Sequence, residues 1–127
     1  HEIASQLNLT GEAMAYRIKQ LKKNNVIQAL RPIINTPLLG YQYYNILFKL
    51  KRFENIEKIF YFFKQQPHII YFVKYLGNYD IGIDLEVKNV EELRKILQDI
   101  KNKFSDDIES YSSVLVYQEH KLSYLPE

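Results

Sequence analysis

Few residues in this chain could do covalent chemistry. The three histidines, His1, His68 and His120, have no spacing that puts two on one helical face, and with no cysteine the sequence offers no thiolate, disulfide or zinc-ligand set. Asp80, Asp84 and Glu86 recur at period two on one strand face, a pattern open to a cation or an acid–base pair. Its plainer reading is a solvated strand face. No glycine-rich loop could cradle a phosphate, so no cofactor is expected and an enzyme is unsupported. Binding chemistry is better served. A stretch opened by Thr10 turns Glu12, Ala13, Tyr16, Arg17, Lys19 and Lys23 away from a stripe of Met14, Ile18 and Leu21, and Lys22 and Arg31 add charge. Such a helix suits the major groove of double-stranded DNA. Glu12, Ala13, Tyr16 and Arg17 are the base-facing candidates, and Thr10, Lys19, Lys22, Lys23 and Arg31 would serve the phosphate backbone. Lysines can also simply solvate a helix, so the basic helix alone does not decide the matter.

The elements that must position these residues sharpen the reading. Ile3, Ala4 and Leu7 have helical spacing, and Asn8-Leu9-Thr10 interrupts them with residues that favour turns and caps. The spacing predicts a second helix over 11–24, ended by Asn24-Asn25, because Asn tolerates the left-handed conformation of a helix end. Val26 to Ile34 is β-rich and broken by Arg31-Pro32, as in an edge strand or short wing. Short helix, turn, basic helix and hairpin together outline a winged helix-turn-helix. Charge agrees: residues 1–34 hold five basic and two acidic residues, a balance of +3, while the remainder of this 127-residue chain holds 12 and 13, a balance of −1. Aromatic bulk lies elsewhere, with 13 of the 18 Tyr and Phe between Tyr41 and Tyr79.

After Thr36-Pro37 and Gly40 the pattern alternates between strands and helices. A strand from Tyr41 to Lys51 puts Tyr44, Ile46, Phe48 and Leu50 on one face and Tyr41, Tyr43 and Leu47 on the other. Asn55 is placed to cap a helix with Ile56, Ile59, Phe60 and Phe63 inward, stopped at Pro67. Strands Ile69 to Leu76 and Tyr79 to Val87 are expected to meet in a tight hairpin at Gly77-Asn78. Asn89 and Glu92 form a capping box for a helix carrying Val90, Leu93, Ile96, Leu97, Ile100 and Phe104, and a last strand runs from Ile108 to Tyr117. This βαββαβ order is ferredoxin-like, with both helices on one sheet face. The expected fold class is therefore α+β: a partial winged helix-turn-helix over 1–34, a linker over 35–40 and a ferredoxin-like domain over 41–127. The other sheet face is not polar, since Ile69 to Val73 is apolar on both sides and Val114 and Val116 flank Leu115. Strands apolar on both sides are covered on both sides, here by a second subunit packing sheet on sheet or by aromatics wrapping locally at the edges. No apolar run approaches the roughly 20 residues of a membrane helix and no signal peptide opens the chain, so the expected setting is cytoplasmic, without a membrane partner.

Taken in order, these segments resemble the Lrp/AsnC transcription regulators. Ile-Ala-Ser-Gln-Leu-Asn-Leu-Thr from Ile3, Tyr-Arg-Ile-Lys-Gln-Leu from Tyr16 and Asn25-Val26-Ile27 are similar to that family's helix-turn-helix. Arg31-Pro32-Ile33-Ile34-Asn35 with Leu39-Gly40-Tyr41 resembles its hinge strand. Gly77-Asn78-Tyr79-Asp80 resembles the Gly-x-Tyr-Asp hairpin of its sensing domain, and Ser123-Tyr124-Leu125-Pro126 the closing segment of archaeal members. The resemblance implies a homo-oligomer, a dimer or higher, assembled through the sheet. It also implies a small-molecule effector, an amino acid, bound near Gly77, Asn78, Tyr79 and Asp80, with Asp80 facing the ligand's ammonium group. A tight hairpin is the structural alternative for the same four residues. The family places a further helix before Ile3, so Ile3, Leu7, Met14 and Ile18 are expected to lack a packing partner, and a chain opening on His1 reads as a fragment. The match is to the second half of long archaeal members in which the unit occurs twice.

Two other functions share this outline. Siroheme decarboxylases have the same two-domain build and need a His with Tyr or basic residues converging on a tetrapyrrole; His68 follows Pro67, but the Tyr and Arg signature expected after it is absent. A sensing or dimerisation module without DNA binding is the other.

Overall fold

The computed structural model describes residues 2–120, which leaves His1 and the Ser123-Tyr124-Leu125-Pro126 motif outside the described residues. The chain divides into two compact units, with the boundary between Ile34 and Asn35.

In the first unit, α1 spans Glu2–Gln6 and α2 spans Gly11–Lys23. Between them Asn8 adopts φ 52°, and the Leu9 N–H returns to the Ala4 carbonyl at 2.8 Å. Both ends of α2 follow from its border residues. Thr10 caps the start in an extended conformation, its side chain accepting from the Ala13 N–H at 3.1 Å. At the far end the Asn24 N–H reaches the Gln20 carbonyl and Asn25 turns left-handed at φ 55°. Burial is thin: among the described residues of this unit only Ala4 is buried, Met14 and Ile18 are half-buried, and Ile3 and Leu7 are exposed. No wing is formed. Residues 26–34 carry no strand, because a β-rich segment needs a second strand to bond with and Pro32 removes a donor.

In the second unit the stretch expected as a linker instead carries a one-turn 3-10 helix, Thr36–Leu39, started by Pro37 and ended by Gly40 at φ 80°. Thr36 donates to the Glu86 carboxylate at 2.6 Å, which ties this turn to the sheet. The elements that follow are β1 (Gln42–Leu50), α3 (Ile56–Lys64), β2 (Ile69–Lys74), β3 (Ile81–Val87), α4 (Val90–Lys103) and β4 (Ile108–Val116). The four strands pair antiparallel in the order β2-β3-β1-β4, the split βαβ arrangement the alternation predicts. Ile46, Phe48, Ile81, Ile83 and Leu85 meet Ile59, Phe60 and Phe63 of α3 and Leu93, Ile96 and Ile100 of α4 in one core. Both helices therefore cover the same face.

Several boundaries and contacts differ from expectation. The β2–β3 connection is six residues long, Tyr75 to Asp80, and not a two-residue hairpin at Gly77-Asn78; its ends still meet, the Tyr75 N–H donating to the Asp80 carbonyl at 2.8 Å. Asn55 does not cap α3 with its side chain; its amide donates instead to the buried Asp107 at 3.0 Å. Val90, at the first position of α4, is exposed. The Asn89 cap is present, accepting from the Glu92 N–H at 3.0 Å, and Glu92 reaches back to the Lys88 N–H at 2.8 Å.

Candidate functional site

The Thr10 cap fixes the phase of α2 and so decides what the helix shows to solvent. At 3.6 residues per turn Glu12, Tyr16, Lys19 and Lys23 share one face, all exposed, with Met14, Ile18 and Leu21 opposite. Arg17 and Lys22 flank the stripe and are exposed as well. Ala13, expected to face outward with Arg17, is half-buried. Glu12 lies in the first turn and Lys22 and Lys23 in the last, an order that suits the helix dipole. Arg31 is exposed on a segment that carries no strand, and so not on a wing.

The Gly77-Asn78-Tyr79-Asp80 segment sits at the tip of the β2–β3 connection. Gly77 takes φ 152°, a conformation that side chains rarely adopt, and Gly77 and Asn78 are exposed while Tyr79 and Asp80 are half-buried. Asp80 has internal partners: its carboxylate accepts the Leu50 N–H at 2.8 Å and pairs with the Lys49 ammonium at 3.2 Å. Its own N–H donates to the Phe48 carbonyl at 2.9 Å. Lys49 was not legible as a partner, because only the β1–β3 register brings it there.

The open face of the sheet presents Tyr43, Asn45 and Leu47 from β1, Asp84 and Glu86 from β3, Tyr71 and Val73 from β2, and Val114 and Val116 from β4. The acidic residues expected to be a solvated strand face are half-buried and partnered: Asp84 accepts from Asn45 at 2.7 Å and Glu86 from Thr36. Burial raises the Tyr43 phenol well above its ordinary range, helped by its hydrogen bond to Asp84 and by the negative charge of Asp84, Glu119 and Glu86. Gly82 lies under the Tyr75 ring, and a Cβ there would collide with it. Among the described residues no group of three His, Cys, Asp or Glu could hold a metal ion. His68 places Nδ1 3.2 Å from the Glu86 carbonyl oxygen, a structural contact at the start of β2.

No family model matches the sequence. Individual relatives do. The chain is 30% identical over 122 residues to the uncharacterized HTH-type transcriptional regulator PH0061 of Pyrococcus horikoshii, covering 92% of this chain and 82% of that one. It belongs to the Lrp/AsnC family of transcriptional regulators. FL11 of Pyrococcus furiosus, also an HTH-type transcriptional regulator, is 28% identical over 121 residues, 94% of this chain and 78% of its own. The fold agrees with solved members: the crystal structure of PH0061 superposes with a TM-score of 0.82 at 24% identity, over 98% of this chain and 84% of that one. Escherichia coli AsnC gives 0.81 at 21% identity, over 98% and 83%. A Neisseria meningitidis regulator solved with L-Met gives 0.83 at 14% identity, over 98% and 82%. These relatives are transcriptional regulators and not enzymes, which answers the siroheme alternative.

Proposed function

We propose that this Lrp/AsnC member regulates transcription in the cytoplasm by placing α2 in the major groove of DNA, with its second unit sensing a small molecule and forming the oligomer. The observation that carries the proposal is the capped α2, whose exposed stripe of Glu12, Tyr16, Lys19 and Lys23 is set in phase by Thr10. Glu12, Tyr16 and Arg17, with the small Ala13 beside them, are the base-facing set, and Thr10, Lys19, Lys22, Lys23 and Arg31 serve the phosphates. Gly77, Asn78, Tyr79 and Asp80 form the effector hairpin. Asp80 anchors it to β1, leaving the exposed Gly77 and Asn78 to meet an amino acid together with a neighbouring subunit; the L-Met complex of the Neisseria relative supports that ligand class. The open, largely apolar sheet face is where subunits pair.

Binding to duplex DNA, measured by fluorescence anisotropy across a salt series, tests the first part. Affinity is expected to fall steeply with salt, and Lys23→Ala to make the slope of log K against log salt shallower by about 1. Wild-type slopes in Lys23→Ala and Arg17→Ala would remove α2 from the interface. A sensing module that does not read DNA is the second reading, favoured by the sparse burial of the first unit. It predicts ligand and subunit binding with no DNA binding at any salt concentration.

A further inference from the structure

β4 is an edge strand, and on the helix-covered side α4 leaves part of it bare. Tyr111 and Leu115 lie opposite Phe48 and Tyr44 of the core in the β1–β4 register, yet are 44% and 49% exposed. The gap between the last turn of α4 and the start of β4 is a cavity of about 280 Å³. Its apolar wall is Phe48, Ile100, Ile108 and Tyr111, with the Tyr111 ring centroid 6.0 Å from that of Phe48. Lys51, Lys101 and Glu109 stand at its rim. None of the three is in an ion pair among the described residues. A shallower depression continues along the same edge past Lys101 and Tyr111 and brings in Arg94.

These features select a ligand class. Phe48 and Ile100 are almost fully buried, so an apolar group entering here rests on core atoms and not on a surface patch. The volume falls just below the usual range of ligand pockets, about 300 to 1,000 Å³, so only a small molecule fits. Two lysines and one glutamate line the cleft, and Lys101 with Lys103 in the last turn of α4 offsets the negative end of that helix. We propose that the α4–β4 cleft binds a small monocarboxylate with a short branched or aromatic tail, held by Lys51 and Lys101. None of the hairpin residues 77–80 lines this cleft, so the site stands apart from the effector hairpin.

The test is an NMR titration of the chain with 4-methylpentanoate, with 4-methylpentan-1-ol as the uncharged control. The acid is expected to shift the Ile100 and Ile108 methyl resonances and the Ser105 and Ser110 amides, and the alcohol to leave them in place. Lys51→Met and Lys101→Met are surface changes that keep the fold, and each is expected to weaken the acid by about tenfold, the loss of one charge-assisted contact. Glu109→Gln removes the opposing charge and is expected to tighten it severalfold. No shifts at millimolar acid, shifts confined to residues 77–80, or lysine variants that bind as well as the parent would each overturn the proposal.

Discussion

Asp80 shows how a side chain placed to look like a ligand group can be holding the fold. At period two on a strand, its carboxylate reads equally as a binding group or as a solvated charge. The β1–β3 register decides otherwise by bringing the Leu50 N–H to 2.8 Å and Lys49 to 3.2 Å, contacts across 30 and 31 positions that periodicity does not reveal. Asp80→Ala is therefore expected to destabilise the second unit by about 1–3 kcal/mol, the cost of leaving a half-buried N–H without its acceptor, read as a lower urea midpoint. Loss of effector response without loss of stability would instead give Asp80 a purely ligand-facing role. Tyr43 makes a different prediction at the same scale. Its folded pKa is raised, so the neutral phenol is preferred in the native state and its stabilisation is complete below the unfolded value of about 10. As pH rises past that value the unfolded chain ionises first and stability falls. Urea melts between about pH 9 and 11 should show this loss, and Tyr43→Phe should lessen it.

At the level of elements, local chemistry was legible wherever the partner lay within one helical turn. Thr10 and Asn89 cap their helices as their spacing predicts, and Asn25 turns left-handed where the second helix must end. The alternation of Ile81, Ile83, Leu85 and Val87 gives the buried face of β3. Failures occur where a distant group competes. Asn55 stands at the start of α3 but donates to Asp107, 52 residues on, and the Asp80 carboxylate turns from the hairpin to β1. The wing fails because residues 26–34 have no strand to join. The two asparagines therefore separate by experiment. Asn89→Ala should cost about 1 kcal/mol through fraying of α4, with lowered protection of its first-turn amides in hydrogen exchange. Asn55→Ala should leave the α3 amides protected and instead loosen residues 104–108, because it strips the buried Asp107 of its amide partner.

For the molecule as a whole, the decisive feature is a sheet with one face under two helices and the other open. That open face carries Leu47, Tyr71, Val73, Val114 and Val116, and its two carboxylates, Asp84 and Glu86, already accept hydrogen bonds from Asn45 and Thr36, so a second copy would cover a mostly apolar surface. A face that meets its own copy doubles any substitution, since the same residue enters from both sides. Val114 is the informative position. It is 47% exposed on the edge strand, so a lysine there is solvated in the isolated subunit and leaves the core of Ile46, Phe48 and Ile83 untouched. In a dimer the same lysine is desolvated and crowded against the partner's apolar face, a cost of about 3–5 kcal/mol, enough to raise the dissociation constant by two or more orders of magnitude. Light scattering coupled to size exclusion is expected to find a dimer or larger species for the parent chain and a monomer with an unchanged melting curve for Val114→Lys. Lys23→Ala, on the other unit, should leave the oligomer intact. A Val114→Lys chain that keeps the parent's mass would move the subunit contact off this face and leave its apolar residues to be explained by local wrapping at the sheet edges.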